Sequence, residues 1–176
     1  MMNSPDNREI IAIMEIETAD GVFLTHYSKE GLAGLNFPQE RNKTVVATAQ
    51  PPEEVLAWHK LTVKELENVL AGKEMGPLPP LDLSVGTDFQ RSVWQQLLKI
   101  PPGETKSYAD LARALRNPRA FRAVGGACGA NPIPVLIPCH RVLAAGGKIG
   151  GFSSPLAWKR RLLGRELKSE IFFPGD

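Results

Sequence analysis

A thiol and an imidazole stand side by side in Ile137-Pro138-Cys139-His140-Arg141-Val142, in a chain of 176 residues that has only 2 cysteines and 3 histidines. The thiolate is the nucleophilic form of cysteine, and an imidazole is the usual group that takes its proton. The pair could therefore carry out nucleophilic attack by sulfur. Adjacency does not establish this, because neighbouring side chains of an extended segment point to opposite faces and cooperate only through a bend or a bridging water. A cysteine packed as a small hydrophobe beside a loop histidine fits the same six residues.

The flanking residues would hold such a thiol in place. Asn131-Pro132-Ile133-Pro134-Val135-Leu136-Ile137-Pro138 is apolar, and its three prolines reduce the freedom of the loop. Downstream, Gly146-Gly147 and Gly150-Gly151 precede Phe152-Ser153-Ser154; they could let the backbone close over a ligand, although a plain hairpin explains the first pair equally well. Cys128 lies eleven positions before Cys139, and neither has a cysteine within two to four residues, so free thiols are expected. His26 and His59 lack metal-ligand spacing and read as surface or packing residues. No metal site is expected.

The elements that must position these groups fall into two halves. Residues 1–88 carry 7 Lys/Arg against 14 Asp/Glu, and residues 89–176 carry 14 against 5, giving net charges of −7 and +9. A basic half of that size suits a surface that neutralises phosphates, or one that is simply well solvated. Gly76-Pro77-Leu78-Pro79-Pro80 resists helix and reads as a linker, which places a boundary between domains 1–80 and 81–176. The polar start of the chain has no apolar signal-peptide core, and no apolar run is long enough to span a membrane. A soluble cytoplasmic protein is the expectation.

In the first half, residues 10–16, 22–24 and 32–37 read as strands of an antiparallel meander, separated by Ala19-Asp20-Gly21 and Lys29-Glu30-Gly31. A helix over 53–71 follows, with Val55, Trp58, Leu61, Leu66, Val69 and Leu70 facing the sheet. In the second half, Thr87 and Gln90 form a capping box for a helix whose stripe is Phe89, Val93, Trp94, Leu97 and Leu98. Ser107 caps a short helix through Leu115, and Asn117-Pro118 starts another that reaches about Gly129, suggesting a helix-turn-helix. That second helix contains Arg119, Arg122, Gly125 and Gly126; its small residues let a backbone approach either DNA or another core helix. The last helix, 155–167, holds Trp158, Leu162 and Leu163 on one side and Lys159, Arg160, Arg161 and Arg165 elsewhere.

From Gly86 to Leu167 the chain resembles the O6-alkylguanine-DNA alkyltransferases, also called methylated-DNA-protein-cysteine methyltransferases. The resemblance runs through Phe89-Gln90, Trp94, Ile100-Pro101, Gly103-Glu104, Ser107-Tyr108, Arg122-Ala123-Val124-Gly125, Asn131-Pro132 and residues 137–142. It implies an α+β fold of two domains: a ribonuclease-H-like N-terminal sheet with a helix, and a mostly helical, winged-helix-like C-terminal domain with a helix-turn-helix and an active-site cysteine loop. It implies repair of O6-alkylguanine in double-stranded DNA, with O4-alkylthymine a further candidate, by transfer of the alkyl group to Cys139. His140 would deprotonate the thiol through a water, Glu166 would orient the imidazole, and Asn131 would brace the loop. Tyr108 would donate its proton to the leaving base. Phe152, Ser153, Cys128 and Val142 would line the base pocket.

Because the target atom is paired inside the duplex, the nucleotide must be flipped out, and Arg122 would fill the gap. Ser107, Ala123, Gly125, Gly126 and Ala127 would meet DNA through the minor groove. The resemblance implies a monomer that acts once and needs no cofactor, because the alkylated DNA is itself the donor. A non-catalytic lesion-binding relative is the alternative, but such proteins carry tryptophan where this chain has Cys139. The chain departs from many relatives in having Phe152 rather than tyrosine, Ser154-Pro155 rather than two glycines, and no cysteine before residue 128 to serve an N-terminal zinc site.

Overall fold

The computed structural model describes residues 8–38, 47–151 and 155–168. It is an α+β structure with a small antiparallel sheet and five α-helices among the described residues. Strands β1 (Ile10–Thr18), β2 (Gly21–Ser28) and β3 (Gly31–Asn36) form the meander expected from the sequence, in the order β1-β2-β3. Both connections close on glycine at positive φ, Gly21 at 115° and Gly31 at 140°. Gly31 is also sterically required, because a Cβ there would lie 2.1 Å from the carbonyl oxygen of Pro80. That contact accompanies two backbone hydrogen bonds, Leu32 N to Pro80 O and Asp82 N to Leu32 O, both 2.8 Å, which anchor the Pro-rich segment along β3.

Helix α1 (Glu53–Leu70) buries Val55, Leu66, Val69 and Leu70, but the apolar stripe expected for it needs correction. Trp58 and Leu61 are only partly buried, whereas Thr62 and Glu65 are fully buried. Hydrogen bonding explains the exchange: the Tyr27 hydroxyl on β2 donates to Thr62 Oγ1 at 3.1 Å, and Glu65 accepts the Gly76 N–H and, at 3.1 Å, the Asn68 side-chain amide.

Helix α2 (Asp88–Leu97) begins with the expected capping box, Gln90 N to Thr87 Oγ1 at 3.2 Å and Thr87 N to Gln90 Oε1 at 2.8 Å. Helix α3 (Tyr108–Ala114) has a second box made by Ser107 and Asp110. The single helix expected over 118–129 is two pieces, a 3₁₀ turn at Pro118–Ala120 and helix α4 (Phe121–Gly129). Asn117 is not helical, and Ala120 N bonds back only three residues to Asn117 O, which is the 3₁₀ pattern. Arg116 makes the preceding corner in the left-handed region, at φ 56°. Strands β4 (Lys106–Ser107) and β5 (Val142–Leu143) pair in parallel, and helix α5 (Leu156–Leu167) closes the structure.

One continuous apolar cluster runs through both halves of the chain. Trp158 of α5 packs against Phe23 and Phe37, with ring centroids 5.4 and 4.9 Å apart, and Leu35 N donates to Pro132 O at 3.0 Å. Asp20, in the β1–β2 turn, holds Arg165 of α5 through bonds of 2.6 and 2.8 Å. The meander is thereby fixed to the helix that carries Glu166. Among the described residues no helix is long and apolar enough to cross a membrane.

Candidate active site

Cys139 opens a 3₁₀ turn, Cys139–Arg141, and is 3% exposed. The turn supplies the bend that an extended Cys-His pair would lack. Asn131, just beyond α4, holds the approach: its Nδ2 donates to Ile137 O at 2.8 Å while its Oδ1 accepts Ile133 N at 3.0 Å. Inside this loop Val135 takes φ 74°, a conformation that costs a β-branched residue about 1–3 kcal/mol and persists only where the surroundings impose it. Val135 is fully buried between the two Asn131-anchored segments. Burial pushes the Cys139 thiol up, while the Asn131 side-chain hydrogen bond and the Lys159 ammonium act in the opposite direction.

His140 is fully buried and its Nε2 lies 2.8 Å from Glu166 Oε1. Its Nδ1 is buried and makes no protein hydrogen bond. With a carboxylate at Nε2, the neutral ring carries its proton there and leaves Nδ1 as a lone-pair acceptor. Burial lowers the imidazole's pKa and Glu166 raises it, the net being a ring more readily neutral than an ordinary histidine. Burial alone would raise the Glu166 carboxyl, but bonds from His140 and Arg141 outweigh it and hold the group at about 2. Arg141, 1% exposed, reaches Glu166 through Nε and Nη2 at 3.0 and 2.9 Å, and also donates to Ile100 O.

Lys159 is the site residue that the sequence reading placed elsewhere. The sequence pattern sets it with Arg160, Arg161 and Arg165 away from the apolar side of α5, yet it is fully buried and donates to Val142 O at 2.6 Å and to Gly151 O at 3.3 Å. The signal is helical spacing: Lys159, Leu162, Leu163 and Glu166 follow an i, i+3, i+4, i+7 pattern and share the buried face. Burial lowers the ammonium to about 8, against the attraction of the Cys139 and Cys128 sulfurs.

A cavity of about 500 Å³ opens onto Cys139, walled by Tyr108, Cys128 and Gly151 and rimmed by Phe121 and Arg122. Tyr108 donates to Gly151 O at 3.2 Å; burial, then nearby sulfur charge, push its phenol to about 12. Burial likewise pushes Cys128 to about 12, so that thiol stays protonated. Val142, expected in the pocket, is buried in β5 and is not among the residues that line the cavity; its carbonyl accepts from Lys159. Phe152 and Ser153 lie outside the described residues.

The residues expected to meet DNA divide similarly. Arg122, Ala123 and Gly126 are exposed on α4 and Gly125 is half-buried. Added Cβ atoms at Gly126 and Gly129 would meet nothing within 4 Å, so core packing does not require these glycines. Ala127 faces inward, 2% exposed, with its carbonyl accepting the Trp94 indole N–H at 2.8 Å. It is therefore removed from the exposed face to which it was assigned. Ser107 is half-buried, its hydroxyl engaged in the α3 cap. Among the described residues no group of three or more His, Cys, Asp or Glu side chains could hold a metal ion.

The family model for the DNA-binding domain of 6-O-methylguanine DNA methyltransferase matches residues 88–168. The chain is 44% identical over 138 residues to the methylated-DNA–protein-cysteine methyltransferase of Methanosarcina mazei, spanning 77% of this chain and 84% of that one. The inducible Bacillus subtilis protein of the same name is 35% identical over 159 residues, spanning 81% and 84%. In structure the chain is similar to Mycobacterium tuberculosis OGT in complex with DNA, at a TM-score of 0.72 and 36% identity, over 88% of this chain and 91% of that one.

Proposed function

The chain belongs to the methylated-DNA–protein-cysteine methyltransferases, a DNA-repair family, and from that premise we propose that Cys139 accepts the alkyl group of O6-alkylguanine in duplex DNA, once per molecule. The observation that carries the reading is the buried Glu166–His140 pair, at 2.8 Å, beside a cysteine that opens on a cavity. His140 Nδ1 takes the thiol proton through a water that suits a buried polar acceptor. The thiolate attacks the alkyl carbon; an S–C bond forms as the O–C bond breaks, and the electron pair leaves on guanine O6. Tyr108, whose high pKa keeps it protonated, donates toward a ring nitrogen, and the proton taken from sulfur returns by way of His140 and solvent. The products are an S-alkylcysteine and an unmodified guanine. A thioether has no free thiol, so turnover stops.

The lesion must leave the duplex to reach a buried sulfur. Arg122 at the cavity rim fills its place in the stack, while Ala123, Gly125 and Gly126 lie along the minor groove. Residues 81–176 carry these groups, and residues 1–80 act as a scaffold through contacts such as Asp20 to Arg165. A cysteine rather than a tryptophan at the acceptor position favours transfer over lesion binding alone.

The test uses a duplex whose O6-methylguanine carries a labelled methyl group. We expect label on the peptide containing Cys139, reaching at most one equivalent per protein and absent from Cys139→Ala. Tight binding without label would favour the lesion-binding alternative. Many equivalents per protein, or label retained in Cys139→Ala, would sink the mechanism.

A further inference from the structure

The cavity rim carries an aromatic residue with no role so far. Phe121 begins α4 and is 45% exposed, the one aromatic among the large apolar side chains exposed in the described residues. Its neighbour Val124 on the same helix is fully buried, so the apolar positions of this helix are split between core and solvent. Leaving about half of a phenyl ring in water forgoes a good part of its burial free energy. The ring sits on the rim of the cavity that contains Cys139, beside Arg122, whose guanidinium carbon lies 5.8 Å from the ring centroid. Arg119, two positions before Phe121, and Arg116, five before it, are exposed as well.

We propose that Phe121 is a DNA-stacking wedge, seating its ring against the base beside the flipped nucleotide while Arg122 occupies the gap. This rests on the reading of the site as a DNA alkyltransferase. An exposed ring with Arg122 against it, and exposed arginines at 119 and 116 close by in sequence, describe a partner that is anionic and presents flat faces, which is nucleic acid rather than an apolar protein surface. Consecutive helix positions diverge by about 100°, so the two side chains engage different steps of the duplex and do not compete for one. Apolar wedges that partly unstack a minor-groove step are a general means of bending DNA and lowering the cost of extrusion. The residue therefore positions the substrate and takes no part in the chemistry at sulfur.

The full-length chain, Phe121→Ala and Phe121→Trp are compared on two substrates: a duplex with O6-methylguanine flanked by 2-aminopurine, and the free base O6-benzylguanine, which needs no extrusion. Phe121→Ala should lose roughly tenfold or more in duplex rate and affinity, in line with the loss of one base–aromatic stack. It should also lose most of the 2-aminopurine fluorescence change, and its loss on the free base should be far smaller than its loss on the duplex. Phe121→Trp should restore the duplex values. Equal losses on both substrates, or full duplex rate and fluorescence in the alanine variant, would overturn the wedge. If wild type binds the duplex but leaves Cys139 unlabelled, the transferase reading fails, and the affinity and fluorescence comparisons still decide Phe121.

Discussion

Glu166→Gln separates an ionised carboxylate from a merely hydrogen-bonded one. The wild-type carboxyl is held at about 2 against an ordinary value of 4.5, which at about 1.4 kcal/mol per pH unit corresponds to roughly 3 kcal/mol of stability. The folded value lies below the unfolded one. The contribution is therefore nearly complete above about pH 4.5 and is lost as pH falls toward 2, with roughly three fifths gone by about pH 3. Glutamine is nearly isosteric but leaves the Arg141 guanidinium, 1% exposed, without a counter-charge. Breaking such a pair costs about 3–5 kcal/mol. Urea unfolding should show that loss at pH 7, and the gap between wild type and variant should narrow steeply toward about pH 3. The imidazole loses the group that raises its pKa, so methyl transfer at pH 7 should slow by about 10²- to 10⁴-fold, the range of general-base contributions. A variant within about 1 kcal/mol of wild type at pH 7, or a gap unchanged at about pH 3, would refute an ionised Glu166 paired to both residues.

Two further substitutions test the surroundings. Lys159→Met removes the buried cation and leaves the Val142 and Gly151 carbonyls without it; it should slow transfer about tenfold at neutral pH, with the deficit shrinking at alkaline pH as the thiolate forms unaided. An unchanged pH–rate profile would show that the ammonium does not support the thiolate, and its own lowered value means that its burial penalty is relieved as pH rises from about 8 toward 10.5. Gly126→Leu adds a side chain where a Cβ meets nothing, so thermal stability should hold or rise by about 1 kcal/mol from helix propensity, while duplex affinity falls about tenfold or more. Equal affinity for the duplex would remove this face of α4 from the DNA contact, and a large loss of stability would mean that the position is packed after all.

What the sequence made legible was what local chemistry decides. Thr87 with Gln90 and Ser107 with Asp110 satisfy orphan helix amides within four residues of chain, so both helix starts follow from composition. The meander was equally readable, since the turns at Gly21 and Gly31 need residues that tolerate positive φ. The α1 stripe failed at Thr62 and Glu65 because their partners, Tyr27 and Gly76, are distant in sequence and make polar side chains acceptable inside. Lys159 was misplaced for the same reason: a cation on a buried face is improbable until Val142 and Gly151 supply carbonyls. The link from His140 to Glu166 came from family resemblance. Across a separation of 26 positions, spacing alone could not have supplied it.

Burial at this site works on three groups in one direction. It raises both sulfur groups, Cys139 and Cys128, and lowers His140, so each is biased toward its neutral form. A nucleophile that turns over uses its thiolate in every cycle, whereas an acceptor consumed by one transfer gains nothing from a standing thiolate and is lost to any stray electrophile that reaches one. Neutral Cys139 beside neutral His140 keeps the sulfur quiet at rest; Lys159 favours the thiolate and Glu166 favours the imidazolium, while Arg141 and Lys159 both oppose a charged ring. On the proposed function, protection and activation come from one arrangement of burial and charge.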